Sequence, residues 1–340
     1  MNKYIYLVFI IFNFFLYSCN TGNKKVESED VASIAQPNPL TELNQEIIAD
    51  NDNDLLFIRR ADYYLSVNKI DSALRDILLA IDIDSKNANH FITLSDAYLA
   101  MGNPDKCLDA LDRALALDNK NKEALLKESQ LYLIMRDYPN TYSTITKLIA
   151  VDNINPIAYF IRSMAFIEES DTLNAIKNLQ VAIDQDQDYF DAHLQLGILF
   201  ASQKNSVAVN YLQNAIRLNP QTIEPYYQLA LFFQENGRTE SAIQTYNSIL
   251  DINPEYVPVL YNLGYIHLVY NQDFTKAVDY FNQAIQIAPE YVEAYYNRGY
   301  SYELLGRKDL ARLDYQEALK LRSNFPKAIE GLNRLDRNSP

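Results

Sequence analysis

Three registers of small residues recur along this chain at nearly constant spacing, and no other feature constrains the fold as tightly. The first runs Ala61, Ser95, Ser129, Ser163, Gly197, Ala230, Gly264 and Gly299, in steps of 34, 34, 34, 34, 33, 34 and 35 residues. The second follows twelve or so residues later as Ala73, Cys107, Thr141, Ala175, Ala208, Ala242, Ala277 and Ala311. The third follows seven beyond that, as Ala80, Ala114, Leu148, Ala182, Ala215, Ile249, Ala284 and Ala318. Self-similarity at a fixed period of roughly 20–50 residues marks an array whose units cannot bury their apolar faces alone and do so by stacking. The short step loses its residue around Lys204 to Ser206 and the long step gains one around Asn271 to Phe274, both at a predicted turn.

Each unit reads as two amphipathic helices. In the last, Tyr295, Arg298, Gly299 and Tyr302 fall at i, i+3, i+4 and i+7. After the Gly306 turn, Ala311, Tyr315 and Ala318 share a second face. Small residues sit where two helices approach closely and large ones fill the space between. Unit six carries Tyr226, Leu229, Ala230, Phe233, Gly237, Ala242, Tyr246 and Pro254, and unit seven Leu260, Leu263, Gly264, Ala277, Phe281, Ala284 and Pro289. This pattern resembles the tetratricopeptide repeat. The resemblance implies an all-α, right-handed superhelical solenoid of eight helix-turn-helix units, at 54–87, 88–121, 122–155, 156–189, 190–222, 223–256, 257–291 and 292–325. Residues 326–340 follow as a capping helix and tail, with Ala328, Ile329, Leu332 and Leu335 turned inward and Glu330, Asn333, Arg334 and Asp336 outward. Leu40 to Asp50 is expected to add a short helix whose Leu43, Ile47 and Ile48 cover unit one.

The first residues follow a different logic. Lys3, an apolar run from Tyr4 to Tyr17 and then Ser18-Cys19 form a signal-peptide layout over residues 1–18. The run is shorter than the roughly twenty residues of a membrane-spanning helix. Leu16-Tyr17-Ser18-Cys19 resembles a bacterial lipobox, which implies acylation of Cys19, palmitate among its chains, and anchorage to a membrane. Asn20 after the cysteine implies the outer membrane, on either face. Residues 19–53 then begin as a stalk rich in Asn, Ser, Lys, Glu and Pro with little to bury.

Composition removes several functions. Thirty Lys plus Arg against 44 Asp plus Glu leave a net charge of −14, so the chain repels a phosphate backbone and no nucleic-acid partner is expected. The histidines His90, His193 and His267 occupy three different positions of the repeat and read as packed side chains, with no metal-ligand spacing. Cys107 reads as a buried filler with an inert thiol. No nucleophile, base and orienting group converge, so neither catalysis, cofactor nor metal is expected.

What remains is a surface. In repeats of this kind the first helix of each unit lines a concave groove. The inward positions of the last three units hold Tyr227, Gln228 and Leu231, then Tyr261, Asn262 and Tyr265, then Tyr296, Asn297 and Tyr300. These tyrosines and amides either recognise a peptide or pack against the adjacent repeat. Fourteen of the 26 tyrosines lie between Gln221 and Phe325, which sets this part apart. The early units present Ile58, Arg59 and Asp62, Ile92, Thr93 and Asp96, then Leu126, Lys127 and Gln130, a more aliphatic floor of mixed charge. The leading expectation is a lipid-anchored, non-catalytic scaffold that binds envelope proteins or peptides during assembly or secretion. A surface receptor for glycan or another small ligand is the alternative.

Overall fold

The computed structural model describes residues 39–337, and these are helical throughout apart from turns, with no strand among them. Helix α1 spans Pro39–Ala49. Eight helix pairs follow: α2 Asp54–Ser66 with α3 Ile70–Ile83, α4 Ala88–Ala100 with α5 Pro104–Leu117, α6 Lys122–Ile134 with α7 Tyr138–Val151, and α8 Pro156–Glu168 with α9 Thr172–Gln185. The series continues with α10 Phe190–Ser202 and α11 Ala208–Leu218, α12 Ile223–Glu235 and α13 Thr239–Ile252, α14 Val257–Val269 and α15 Phe274–Ile287, and α16 Val292–Leu304 and α17 Lys308–Leu321. Helix α18, Pro326–Arg337, closes the series. The chain divides into two compact units, one ending at Gln187 and one beginning at Asp188. Each is an all-α stack of repeats in which every helix packs on the next, and first helices also touch the first helices of their neighbours. In the first unit α2 meets α4 and α6 meets α8; in the second α10 meets α12, and α14 meets α16.

All 24 register residues are buried. Fifteen to seventeen residues after each member of the first register stands a large apolar side chain, namely Ile77, Leu111, Ile145, Leu179, Leu212, Tyr246, Phe281 and Tyr315, all fully buried. The small residue on the first helix makes room for the large one on the second. At Gly264 a β-carbon would lie 2.7 Å from Phe281 Cε1, and at Gly197 it would lie 2.6 Å from Leu212 Cδ2, so these two glycines are set by close packing.

The turn inside each pair has one residue in the left-handed region: Asn68, Gly102, Arg136, Ser170, Lys204, Gly237, Gln272 and Gly306, with φ between 53° and 75°. The amide one residue further on bonds back to the carbonyl of an aromatic residue, as Lys69 to Tyr64, Asn103 to Tyr98 and Arg307 to Tyr302. In unit seven the extra residue displaces this bond. Asp273 N reaches His267 O instead, and His267 fills the aromatic slot by stacking on Tyr280 at 5.5 Å. In the first unit Asn and Asp cap the helices: Asn87, Asn103, Asn121, Asp137, Asn155 and Asp171 each accept from a backbone N–H of the first turn.

Four pairs carry a polar bridge in a slot that the other pairs fill with leucine on the first helix. Arg60 forks onto Asp76, Glu128 accepts from Thr144, Arg162 donates to Asn178, and Arg298 forks onto Asp314, always sixteen residues apart. Arg298 also donates to Asn282 of the preceding pair, and Arg60 to Asn44 of α1, so two of these bridges tie neighbours together.

The chain ends differ from expectation at three side chains. In α1, Leu43 and Ile47 are buried but Ile48 is 83% exposed, because the helix offers only one narrow face to α2. In α18, Ile329 is 43% exposed while Ala328, Gly331 and Leu335 make the contact. Arg334, expected to face outward, turns back onto α16, for reasons given below. Cys19 lies outside the described residues.

Candidate partner-binding groove

The predicted ladder separates into two kinds of tyrosine. Tyr227, Tyr261 and Tyr296 occupy equivalent places on α12, α14 and α16, and each is enclosed from two sides. Within its own pair each ring meets the large residue of the second helix, Tyr246 at 6.2 Å, Phe281 at 5.8 Å and Tyr315 at 5.8 Å between centroids. From the following helix comes the aromatic that precedes its first turn, Tyr256 at 6.1 Å, Tyr291 at 4.9 Å and Phe325 at 5.7 Å. Such edge and tilted pairs add to the apolar area they bury.

The amides beside the ladder complete this packing. Asn262 donates to Tyr227 Oη at 3.3 Å and to Tyr246 Oη at 3.0 Å, and Asn297 donates to Tyr261 Oη at 2.9 Å. Each amide therefore reaches back to the preceding rung. Gln228 stays within its own helix, donating to Glu224 at 2.7 Å. Burial holds the phenols of Tyr227, Tyr261 and Tyr296 above the ordinary tyrosine range. Five of the eight groove residues named from sequence, Tyr227, Tyr261, Asn262, Tyr296 and Asn297, thus serve the stacking of repeats.

Tyr265 and Tyr300 differ. Both lie one turn further along their helices, are half-buried against the unit-seven core, and have hydroxyls that no group among the described residues engages. Tyr265 meets the exposed ring of Tyr270 edge-on at 6.3 Å, and Tyr300 lies parallel to Tyr296 at 6.3 Å. With Leu231, which is also half-buried, they form the part of the first-helix face left over after packing.

The residues that sequence reasoning missed are those that finish each rung. Tyr256, Tyr291 and Phe325 recur just ahead of α14, α16 and α18, and that spacing was available as a signal. Arg334 had no such signal. Gly331 stands where α16 has Asn297, and a β-carbon there would lie 2.6 Å from the Tyr315 ring. Arg334, one turn later, reaches back instead, donating to both Glu303 oxygens at 3.0 Å and lying 5.4 Å over the Tyr300 ring.

The first unit adds ion pairs to its apolar packing. Lys127 on α6 pairs with Asp96 on α4 at 2.7 Å, Lys122 with Asp152 at 3.0 Å, and Arg59 with Glu46 at 2.7 Å. His90, fully buried, lies 2.9 Å from the Asp54 carboxylate and 3.1 Å from the Asp84 carbonyl. Asp62 has no ion pair; desolvation, with Asp96 and Glu123 nearby, pushes its carboxyl up to about 6. Burial pushes the Cys107 thiol up to about 12, which leaves it protonated and unreactive. Among the described residues no group of three or more His, Cys, Asp or Glu is placed to hold a metal ion.

An array of paired helices with a face of first helices defines an interaction scaffold, and the comparisons agree on the repeat. Family models described as tetratricopeptide repeat match residues 266–328, 91–121 and 223–256, so the chain carries tetratricopeptide repeats over these segments. The C-terminal part of a TPR repeat-containing protein from Cytophaga hutchinsonii is 19% identical with a TM-score of 0.63, covering 71% of this chain and 99% of that one. A tetratricopeptide repeat protein from Parabacteroides merdae is 14% identical with a TM-score of 0.50, covering 74% and 99%. Human Superkiller complex protein 3 is 28% identical over 109 residues, 32% of this chain, and the match spans 7% of that protein's length.

Proposed function

We propose that this protein is a non-catalytic scaffold, held at the bacterial outer membrane by lipid on Cys19, that binds an envelope protein or peptide along the first-helix face of its second unit. The observation that carries the reading is the pair of half-buried phenols on Tyr265 and Tyr300, whose hydroxyls have no hydrogen-bond partner among the described residues. At the enclosed rungs the hydroxyls of Tyr227 and Tyr261 accept from Asn262 and Asn297. Aromatic rings with free hydroxyls offer apolar area and hydrogen bonding at low entropic cost. The scaffold role follows from the repeats, and the signal-peptide and lipobox layout of residues 1–19 supports the anchor. Assembly or secretion in the envelope is the setting that this anchor favours.

Capture from crosslinked envelopes with wild type and with Tyr265→Ala plus Tyr300→Ala tests the groove. Loss of specific partners is expected, and an unchanged partner set refutes it. Separately, Cys19→Ala is expected to abolish palmitate incorporation and release the protein from the membrane fraction; normal labelling of that variant refutes the anchor.

A further inference from the structure

Arg60, Arg162 and Arg298 occupy one slot in three different pairs. Each guanidinium lies over the aromatic ring three residues before it, Phe57 at 5.7 Å, Tyr159 at 4.9 Å and Tyr295 at 5.3 Å. At Arg60 and Arg298 all three nitrogens are engaged. Nε and Nη2 fork onto both oxygens of Asp76 or Asp314, and Nη1 donates to Asn44 or Asn282 on the preceding helix, at 2.6–2.8 Å throughout. Arg162 has only one of the three bonds. Its Nε donates to Asn178 at 2.6 Å, but Asn178 is an amide where the other two pairs have a carboxylate, and its Nδ2 donates to Asn174 O at 2.7 Å. The place of Asn44 and Asn282 is taken by Thr146 on α7, an exposed residue whose hydroxyl donates to Tyr142 O at 2.7 Å. Nη1 and Nη2 of Arg162 therefore have no hydrogen-bond partner among the described residues, and neither is a buried atom.

The charge is uncompensated as well. Burial holds the Arg162 guanidinium below its ordinary value, whereas bonding to Asp76 holds Arg60 above it. On α8 and on the helices packed against it, α6, α7 and α9, each carboxylate is engaged or remote. Glu123 pairs with Lys127 at 3.7 Å, Glu128 is 4% exposed and accepts from Thr144 at 2.8 Å, and Glu168 pairs with Arg136 at 3.6 Å. Asp184 lies six residues beyond Asn178, about 9 Å along α9. Of the acids in the flanking turns, Asp152 pairs with Lys122 and Asp171 caps α9 at Asn174. Both α7 and α9 also lack an acid in the first turn, and Leu173, 65% exposed, stands where α3, α5, α13 and α17 have Asp71, Asp105, Glu240 and Asp309. On a chain of net charge −14, Arg162 thus holds out a fixed guanidinium fork that no described residue occupies.

We propose that Arg162 is an oxyanion site on the second-helix side of the first unit, and that its two Nη groups take the carboxylate of an Asp or Glu side chain from a partner protein. The ligand carboxylate replaces the one that Asp76 and Asp314 supply internally in the sister slots. Planar, two-pronged pairing of this kind suits arginine and carboxylate, and Nε on Asn178 with the Tyr159 ring below keeps the fork in position. One fork without a further donor holds a free anion weakly, so the carboxylate arrives on a partner that brings additional surface. The site lies in a different unit from the groove tyrosines and does not depend on them.

Three variants of the mature protein test this: Arg162→Leu, which copies the leucine of other pairs; Asn178→Asp, which restores the internal carboxylate; and Tyr265→Ala plus Tyr300→Ala as the groove control. Guanidinium NMR during titration with sodium acetate or inorganic phosphate, at constant ionic strength, reads the site. Acetate is expected to shift the Arg162 signals saturably in wild type and to bind about tenfold more weakly in Asn178→Asp. Asn178→Asp is also expected to raise the urea midpoint of the first unit. No saturable shift at Arg162, equal affinity in Asn178→Asp, or a lowered midpoint in that variant overturns the site. Phosphate binding more than about tenfold tighter than acetate overturns the carboxylate. In capture from crosslinked envelopes, a partner that wild type and the groove control both retain is expected to be lost from Arg162→Leu and from Asn178→Asp. The same partners on all four proteins overturn the partner assignment.

Discussion

Tyr261→Phe isolates one of the hydrogen bonds that join units seven and eight. The Tyr261 hydroxyl accepts from Asn297 Nδ2 at 2.9 Å, and Asn297 is only 7% exposed. The phenylalanine ring keeps its neighbours, Phe281 at 5.8 Å and Tyr291 at 4.9 Å, so apolar burial is unchanged. What is lost is one neutral hydrogen bond, about 1 kcal/mol net, and what is left is a buried N–H without an acceptor, costing about 1 kcal/mol more. The expected destabilisation of the second unit is about 2 kcal/mol, or about 4–8 °C for a unit of this size. Asn297→Leu added to Tyr261→Phe removes the orphan donor and is expected to recover about half, so the two substitutions are non-additive in the double-mutant cycle. Tyr227→Phe is expected to cost less than Tyr261→Phe, because Asn262 keeps Tyr246 as a second acceptor. Urea denaturation followed by circular dichroism gives the midpoints and slopes, and hydrogen exchange on α14 and α16 locates the loss. A Tyr261→Phe variant within about 0.5 kcal/mol of wild type, or strict additivity with Asn297→Leu, refutes the assignment of this bond to inter-repeat stability.

Gly264→Ala pits helix propensity against packing: alanine favours the helix by about 1 kcal/mol, but the new carbon meets the fully buried Phe281 at 2.7 Å. Overpacking of about 1–3 kcal/mol outweighs it, so a lowered urea midpoint is expected and a raised one refutes the close approach. Arg298→Leu leaves Asp314 buried without its 2.6 Å partner and is expected to cost about 3–5 kcal/mol. Arg298→Leu with Asp314→Tyr copies the Leu263 and Tyr280 of unit seven and is expected to restore most of that loss; equal damage in single and double variants refutes the pairing. For Asp62, a folded-state value near 6 against an ordinary 3.8 means the folded protein binds the proton more tightly than the unfolded chain. The first unit therefore gains stability as pH falls from 7 through 6, modestly because the Asp62 carboxyl is only partly desolvated, and carboxyl NMR with a midpoint near 4 refutes the shift. Asp96→Asn is expected to lower that midpoint by removing a neighbouring negative charge.

Much of the architecture was legible because it is periodic. Ala61 and its counterparts had to be small for helices to approach, and a period of 34 residues with period-3.6 apolar faces admits few alternatives to paired, stacked helices. The polar bridges were less legible. Arg60, Glu128, Arg162 and Arg298 interrupt an apolar slot, and only the second helix, sixteen residues away, shows that each has its partner in place. The first and last of the described helices were least legible, since among the described residues each packs on neighbours along one side only. Ile48 and Ile329 accordingly stayed exposed although their spacing put them on an apolar stripe.

The tyrosine-rich face shows where the sequence stops. By itself the sequence determined the repeat, the small-residue registers and the concentration of tyrosines between Gln221 and Phe325, because each depends on residue type and spacing along one chain. Only the tertiary structure decided which tyrosines are occupied. Tyr261 is enclosed by Tyr291 and bonded by Asn297 from the following helix, whereas Tyr265, four residues on, keeps a free hydroxyl. Arg334 likewise reads as an outward residue, yet α18, brought close to the Tyr315 ring at Gly331, lets it reach Glu303. The physical reason is common to both: a groove is made by adjacent helices, and whether a side chain is spent or available depends on groups that reach it from the next repeat.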